Sequence, residues 1–355
     1  MDFEDIPGLT SAINASLTEF FDRETIYLNQ IGSELEPVAE ALGHFLLDSG
    51  KRLRPLFAAI GYLGTGTELT PEIIRAISSL ELVHVCALIH DDVIDGSNTR
   101  RGAPAIHKQF EALHAKNFLH GSGQQFGVAS AILIGDLALI WAAKMFHESG
   151  SPSEQILRAL PIYDEMRIEL MAGQYLDVYE QALASESIER SLKVARYKSG
   201  KYSIERPLHF GAALTPKYSQ PLIQIYSNYG LPLGEAFQLR DDLIGVFGDP
   251  TITGKPAGDD LREGKRTVLV ATTLSKATAT QRELFLNNFG RPDLNFSQIE
   301  SMREIIVETG ALAELETLIE EMTLKARNAL KQSEITEQAA SLLNELAIAA
   351  TSRTS

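Results

Sequence analysis

The sequence predicts an all-α protein, and three observations support that fold class. Apolar residues recur at three- and four-residue spacing along the long segments, which is the spacing of one helix face. Strand signals are weak, because the chain contains no Asn-Gly turn and no sustained alternation of apolar and polar residues. Clusters of glycine, proline and serine separate the segments. We therefore expect a large bundle of about ten or more helices.

The clearest predicted helix covers residues 72–95, a run of 24 residues without glycine or proline. Ile73 and Ile77 begin its apolar face. Thr70 is expected to cap the N-terminus, and Pro71 fits the first turn, where the backbone N–H has no intrahelical partner.

The later segments continue the helical pattern. The apolar window 126–143 carries Asp136 near its middle, so we interpret it as a buried core helix rather than a membrane span. Pro161, Pro207 and Pro232 are expected to kink or divide the three helical stretches that follow. These stretches are 153–182, 187–214 and 218–246, and a C-terminal helical series covers 297–350.

The composition is that of an acidic globular protein. The chain has 355 residues, with 32 Lys and Arg against 47 Asp and Glu, and a formal net charge of -15. This charge disfavours general binding to nucleic acid or to anionic membrane surfaces. Because no linker and no repeat of fixed period interrupts the chain, we expect a single domain over residues 1–355. The acidic N-terminus and the lone cysteine, Cys86, predict a cytoplasmic protein without internal disulfides.

Two acidic clusters are the first candidates for chemistry. Asp91, Asp92 and Asp95 lie at the C-terminal end of the long helix, where they face one another and the negative end of the helix dipole. Asp241 and Asp242 repeat the pattern before a second helix end. Either cluster alone could be a solvated helix end. Asp91 and Asp95 share a face, however, so their oxygens can converge on a hard cation such as Mg²⁺.

Basic residues accompany both acidic clusters. They are Lys51 and Arg54 in GKRLRP, Arg100 and Arg101 after the first cluster, Lys198 and Lys201 in YKSGKY, and Lys255 and Lys265 after the second. Lysine and arginine bind phosphate oxygens directly, and carboxylates reach the same oxygens through a metal ion. The combination indicates a diphosphate site. One cysteine and the absence of an HExxH pattern argue against zinc.

A series of motifs in fixed order makes the reading specific. The chain contains GKRLRP at 50–55, HDDVID followed by RRG, GQYLD, YKSGK, FQLRDD, GKPAGDD, and GKRT at 264–267. In this combination the sequence resembles the trans-isoprenyl diphosphate synthases, the polyprenyl synthetase family. The resemblance implies a single-domain helical bundle with a central active-site cavity. It also implies Mg²⁺-assisted ionisation of an allylic diphosphate, attack on the carbocation by isopentenyl diphosphate, and loss of a proton.

The resemblance assigns metal binding to Asp91, Asp95 and Asp241, with Asp92 and Asp242 as supporting acids. The isopentenyl diphosphate would be held by Lys51, Arg54, His84 and Arg101. The allylic diphosphate, which is dimethylallyl, geranyl or farnesyl diphosphate, would be held by Arg100, Lys198, Ser199, Gln238, Lys255 and Lys265. Gln174 and Asp177 of GQYLD would line the allylic site. The residues implied to be catalytic are Asp91, Asp95, Arg100, Lys198, Asp241 and Lys255.

The chain departs from the family pattern at Gly245. The second motif often has its third carboxylate at this position, and glycine offers no side chain to bind a metal there.

Product length is expected to depend on the residues one and two helical turns before Asp91, since one turn rises about 5.4 Å, comparable to one isoprene unit. These residues are Ala87 and Cys86, with Val83 and Leu80 deeper. Because Ala87 and Cys86 are small, we predict geranylgeranyl diphosphate as the main product. The alternatives are farnesyl or longer polyprenyl diphosphates, a class I terpene cyclase, and a noncatalytic regulatory subunit. A homodimer is the family expectation.

Overall fold

The computed structural model describes residues 5–48, 50–100, 102–248, 258–331 and 334–352, and these residues form an all-α fold. Their one sheet is a two-stranded hairpin in which Arg100 pairs with Ala103. The predicted fold class is confirmed.

The chain divides into two compact units. The first runs up to Leu160 and includes Phe210–Tyr218, and the second contains Pro161–His209 and Ser219 onward. The prediction of a single domain over residues 1–355 stays a prediction.

The first unit contains the following elements in chain order: α1 Ile6–Ile31, a 3₁₀ turn Ser33–Leu35, α2 Glu36–Leu47, α3 Leu53–Leu63, α4 Pro71–Ile94, β1 Thr99–Arg100, β2 Ala103–Pro104, α5 Ile106–Lys116 and α6 Gly123–His147. The helix α7, Ser153–Leu183, begins in this unit and enters the second at Pro161.

The second unit continues with α8 Ile188–Val194, a π-helix Ala195–Glu205, α9 Arg206–Ala213, α10 Gln220–Phe247, α11 Asp259–Glu263, α12 Val268–Lys276, α13 Ala279–Asn288, α14 Phe296–Glu308, α15 Ala311–Ala329 and α16 Glu337–Thr351. The last four residues of α9 belong to the first unit. An apolar cluster built on α10 and the helices after it forms the core of the second unit.

The helix α4 begins as predicted, with the Thr70 hydroxyl accepting a hydrogen bond from the Ile73 N–H and proline in the first turn. It packs closely on α6, where a Cβ at Gly135 would lie 2.2 Å from the ring Nε2 of His90. Glycine at that position therefore permits the close approach. The His90 ring also lies 3.1 Å from the Ile132 carbonyl oxygen, which fixes the C-terminal half of α4 against α6.

The helix α6 differs from the predicted core helix. Its Ala131, Ala138 and Ala142 are fully buried, but Leu133 is 67% exposed and Ile140 is 63% exposed. The interpretation of this segment as a buried helix is thus wrong for one face. By length and composition alone both α4 and α6 could cross a bilayer, a property they share with core helices of water-soluble proteins.

The three internal prolines have different outcomes. Both α7 and α10 continue as single helices through Pro161 and Pro232, so the predicted division does not occur in either. Pro207 is the second residue of α9, directly after the π-helix, and the backbone stays helical across the junction, with Arg206 at φ -67 and ψ -38. The helix changes type here and does not end.

Candidate functional site

The first acidic cluster occupies the last turn of α4, and its carboxylates are not equivalent. The side chain of Asp91 is 19% exposed, whereas that of Asp92 is 1% exposed. Asp95 is partly exposed, and its N–H donates to the Asp91 carbonyl, 2.8 Å away. The accessible face of the helix end therefore carries Asp91 and Asp95, the pair whose spacing predicted a shared cation.

Asp92 holds an arginine beside that accessible pair. Arg100, on β1, donates from Nε to the Asp92 Oδ1 at 2.9 Å, and its Nη2 also contacts this oxygen. The same Nη2 lies 3.9 Å from Asp91 Oδ2. The buried Asp92 thus fixes the guanidinium next to the accessible carboxylate. Arg101, the next predicted cation, lies outside the described residues.

The donor set of this cluster fits a hard divalent cation. Within the described parts of the chain, no three His, Cys, Asp or Glu side chains converge to hold an ion by themselves. Mg²⁺ is typically bound by one or two carboxylates, with water and substrate phosphate completing its octahedron. Asp91 and Asp95 supply such a partial shell of oxygens, so the residues fit the predicted ion.

The predicted cations of GKRLRP flank the start of α3. Lys51 is exposed and precedes the helix, while Arg54 is 8% exposed and lies in its first turn. His84 is partly exposed on α4, two turns before Asp91. The structure places all three residues in the first unit.

The residues expected to set product length divide by accessibility. Ala87 is partly exposed one turn before Asp91, whereas Leu80, Val83 and Cys86 are each 0% exposed. Burial, together with the charge of Asp136, raises the pKa of the Cys86 thiol to about 12. Cys86 is therefore a packing residue with a protonated thiol at neutral pH. Of these four residues, only Ala87 is accessible.

In the second unit, the π-helix carries the predicted residues Lys198 and Ser199. The Lys198 Nζ donates to Asp177 Oδ2 on α7 at 2.6 Å. Ser199 is 8% exposed. Gln174, one turn before Asp177, is partly exposed on the same helix. The structure thus brings the YKSGK and GQYLD motifs together.

Glycine allows the backbone of the π-helix to contact both neighbouring helices. A Cβ at Gly173 on α7 would lie 2.3 Å from the Lys198 backbone nitrogen. On the other side, a Cβ at Gly200 would lie 2.9 Å from the carbonyl carbon of Gly234 on α10. These contacts fix the backbone that carries Lys198.

A buried polar chain fixes the end of the π-helix. Burial and the charge of Arg206 lower the pKa of His209 to about 3, so its imidazole is neutral. Arg206 Nη1 lies 3.4 Å from His209 Nδ1, which therefore accepts, and the protonated Nε2 faces the Ser227 hydroxyl at 3.0 Å. Ser227 in turn donates to Glu205 Oε1 at 2.8 Å.

Replacing Gly173 with alanine is expected to destabilise the protein by about 1–3 kcal/mol, because the new methyl group overlaps the π-helix backbone. Helix propensity alone predicts the opposite sign, a gain of about 1 kcal/mol. Urea unfolding measures the difference, and the exposed neighbour Ala172→Gly calibrates the propensity contribution in the same helix. A more stable G173A protein would show that α7 and the π-helix can separate freely.

The second acidic cluster lies near the end of α10 and again contains two different carboxylates. Asp241 is exposed, whereas Asp242 is 6% exposed and accepts a hydrogen bond from Gln238 Nε2 at 2.7 Å. Burial raises the pKa of Asp242 well above its ordinary value, and the carboxylate of Asp260 adds to the rise. Asp241 is thus the available ligand, and Asp242 fixes Gln238.

The space beside Gly245 is filled by another carboxylate. A Cβ at Gly245 would lie 2.0 Å from Asp260 Oδ2, on α11. Lys265 Nζ lies 3.5 Å from Asp260 Oδ1 and 2.7 Å from Glu263 Oε2. An acid from the next helix therefore occupies the space beside Gly245. Lys255 lies outside the described residues.

Sequence reasoning did not select Asp260 or Glu263 as site residues. Asp260 is the last residue of GKPAGDD, and Glu263 directly precedes GKRT. The available signal was the absence of an acid at position 245 together with these additional acids downstream. Their proximity to Gly245 depends on how α11 packs on α10, which the spacing of residues along the chain does not specify.

Comparison with known proteins gives consistent matches over most of the chain. The family model described as polyprenyl synthetase matches residues 36–306. The geranylfarnesyl diphosphate synthase of Aeropyrum pernix is 33% identical over 294 residues, which are 81% of this chain and 85% of the relative. The geranylgeranyl diphosphate synthase of Sulfolobus acidocaldarius is 29% identical over 79% of this chain and 80% of its own length.

Solved structures include a similar protein with ligands. The geranylgeranyl pyrophosphate synthase from Corynebacterium glutamicum, complexed with isoprenyl diphosphate and magnesium, has a TM-score of 0.95 and 40% sequence identity. The match covers 98% of this chain and 99% of that one.

Proposed function

This chain belongs to the polyprenyl synthetase family, and we propose from that premise that it condenses isopentenyl diphosphate with an allylic diphosphate to give mainly geranylgeranyl diphosphate. It is a trans-prenyltransferase. The observation that best supports the proposed site is the difference in exposure within the α4 cluster. Asp91 and Asp95 are accessible, whereas Asp92 is buried against Arg100.

We propose Mg²⁺ as the metal and Asp91, Asp95 and Asp241 as its ligands. When bound, the ion would neutralise charge on the departing diphosphate. Arg100 and Lys198 are proposed to hold the same diphosphate, each fixed by a carboxylate of its own unit. Because Asp92 and Asp177 hold these cations in place, little reorganisation is needed when the C–O bond ionises.

The remaining assignments keep the roles implied by the motifs. Lys51, Arg54, His84 and Arg101 are proposed to hold isopentenyl diphosphate close to the allylic carbon. Ser199, Gln238, Lys255 and Lys265 are proposed to complete the allylic site, with Asp92 and Asp242 as supporting acids. The proton lost at the end needs no protein base, because the released diphosphate can accept it.

Product analysis of the purified chain tests the function. The protein is incubated with isopentenyl diphosphate and with a five-, ten- or fifteen-carbon allylic diphosphate, with Mg²⁺ or with EDTA. We expect geranylgeranyl diphosphate from each primer and no product with EDTA. A hydrocarbon formed from an allylic diphosphate alone would indicate a terpene cyclase. Inactivity of the folded chain would favour a regulatory subunit, and a 25-carbon product would favour a longer-chain synthase.

Replacing Ala87 with phenylalanine is expected to shorten the product to fifteen carbons or fewer, because the side chain fills accessible space one turn below Asp91. Chromatography of dephosphorylated products measures chain length. Ala115→Phe, at an exposed position of α5, is the control and should leave the product unchanged. If A87F still makes twenty-carbon chains, the growing tail does not follow this face of α4.

We propose a homodimer formed through the exposed apolar face of α6, which contains Ile132, Leu133 and Ile140. A patch of this kind on a helix is typical of an interaction surface. Sedimentation measures the mass in solution, and a monomer at micromolar concentration would contradict the assignment.

We propose the cytoplasm as the compartment.

A further inference from the structure

A buried ion pair joins the GKRLRP segment to α4. Arg52 is 3% exposed, and its Nη1 donates to Glu81 Oε1 at 2.8 Å. Its Nε donates to Asn14 Oδ1, on α1, at 2.7 Å. Glu81 is 2% exposed, so both charges are removed from water. Charges buried in this way must be paired, and the pair therefore has a defined geometry.

The backbone around Arg52 is adapted to this pair. Arg52 has φ 50 and ψ 32, the left-handed region that side chains other than glycine rarely adopt. Its carbonyl accepts the hydrogen bond from Leu56 N at 2.9 Å and so begins α3. A Cβ at Gly50 would lie 2.8 Å from Arg52 Nη1 and 3.2 Å from Glu81 Oε1. The segment is shaped so that the guanidinium can enter the interior.

Both ends of the pair adjoin residues proposed to hold isopentenyl diphosphate. Lys51 precedes Arg52 and Arg54 follows it by two residues, on the helix that Arg52 begins. Glu81 lies one turn before His84 on α4. A shift of Arg52 would move Lys51 and Arg54 through the backbone. Loss of the bond to Glu81 would separate the element that carries Lys51 and Arg54 from the element that carries His84.

We infer that Arg52 and Glu81 are positioning residues for the isopentenyl diphosphate site, because their ion pair sets the distance between Lys51 and Arg54 on one element and His84 on the other. Neither residue needs to touch substrate. The role rests on the proposed function, since it assumes that Lys51, Arg54 and His84 bind that substrate.

The distinguishing readout is a selective change in one Michaelis constant. Arg52→Lys keeps the charge but removes the forked guanidinium group, which donates to both Asn14 and Glu81. Glu81→Gln keeps the volume and removes the charge. We expect either variant to raise KM for isopentenyl diphosphate by about ten- to a hundredfold, the scale of a displacement near 1 Å. KM for the allylic diphosphate should change less than about twofold.

Glu24→Gln is the matched control, because Glu24 is also a buried carboxylate of the first unit, 1% exposed, and is paired with Arg23 and Lys144. It should lower the unfolding midpoint without a selective change in KM. If E81Q does not fold, R52K still tests the inference, and the pair Arg52→Met with Glu81→Leu is the second variant. Removing both charges together avoids an unpaired buried ion.

Each outcome has a definite meaning. Folded variants with unchanged KM for isopentenyl diphosphate, or with both Michaelis constants raised equally, would overturn the positioning role and leave the function intact. Calorimetric titration with isopentenyl diphosphate alone separates the other case. If the wild-type chain does not bind it and forms no product, the proposed function fails and this inference fails with it. If wild type binds and the variants bind equally well, only the inference fails.

Discussion

The Asp91→Asn variant is expected to lose at least about a thousandfold in kcat/KM for the condensation while remaining folded, because a neutral amide cannot supply the charge that holds Mg²⁺ at the diphosphate. The side chain is partly exposed and lies at the helix end, so the isosteric change leaves the packing intact. Steady-state kinetics measures the loss. The Mg²⁺ concentration at half-maximal rate should rise as well.

The same substitution at Asp92 is expected to have a different effect. Asp92→Asn removes the charge of a buried carboxylate that pairs with Arg100, so it should lower the unfolding midpoint as well as the rate. Asp48→Asn, at an exposed acid that pairs with His44, should change neither. If D91N retains wild-type kcat/KM, Asp91 is not a metal ligand, whatever the behaviour of D92N.

The Gly245→Asp variant, which places a carboxylate where the motif led us to expect a third acid, is expected to harm the protein. Its Cβ would fall within 2.0 Å of Asp260 Oδ2, and its charge would face the same carboxylate. Overpacking of this kind costs about 1–3 kcal/mol before the electrostatic repulsion is added. We expect a lower urea midpoint and at least a hundredfold loss in kcat/KM, since Lys265 and Asp242 contact the same region.

Two further variants separate the steric overlap from the electrostatic repulsion. Gly245→Asp with Asp260→Gly moves the carboxylate from α11 back to α10 and removes the overlap, so stability should recover relative to the single change. Gly245→Ala, which adds a methyl group without charge, measures the steric part alone. A G245D protein as stable and active as wild type would mean that α11 does not pack against α10 at this position.

The sequence predicted the elements whose determinants are local. The bounds of α4 follow from Thr70, Pro71 and an uninterrupted apolar face, and the structure confirms them. The exposed face of α6 was missed, because Asp136 was used only to argue against a membrane span. Asp136 is itself exposed and lies one turn from both Ile132 and Ile140, so it marks the exposed face. The π-helix was predicted only as ordinary helix, because both types share the same apolar pattern in sequence. The close approach of its backbone to Gly173 and Gly234 became visible only in the structure.

The candidate site shows the same limit. The spacing of Asp91 and Asp95 could be read as a shared face, but Asp91 and Asp92 are chemically identical in sequence. What separates them is the hairpin that returns Arg100 to one of the two. Likewise, the contact between Gly245 and Asp260 joins residues fifteen positions apart through the packing of two helices. Such non-local contacts carry no signal in residue periodicity.

The single cysteine of this chain, Cys86, is buried, so the chain is well suited to fluorescent labelling at a cysteine introduced elsewhere. Burial raises the pKa of this thiol to about 12, so the reactive thiolate is scarce at pH 8, and the side chain is 0% exposed. A cysteine introduced at any exposed position can therefore be modified selectively without removing the native one. Cys86 itself can react only when α4 opens locally. The rate at which its thiol is modified therefore measures local unfolding of the helix turn that precedes Asp91.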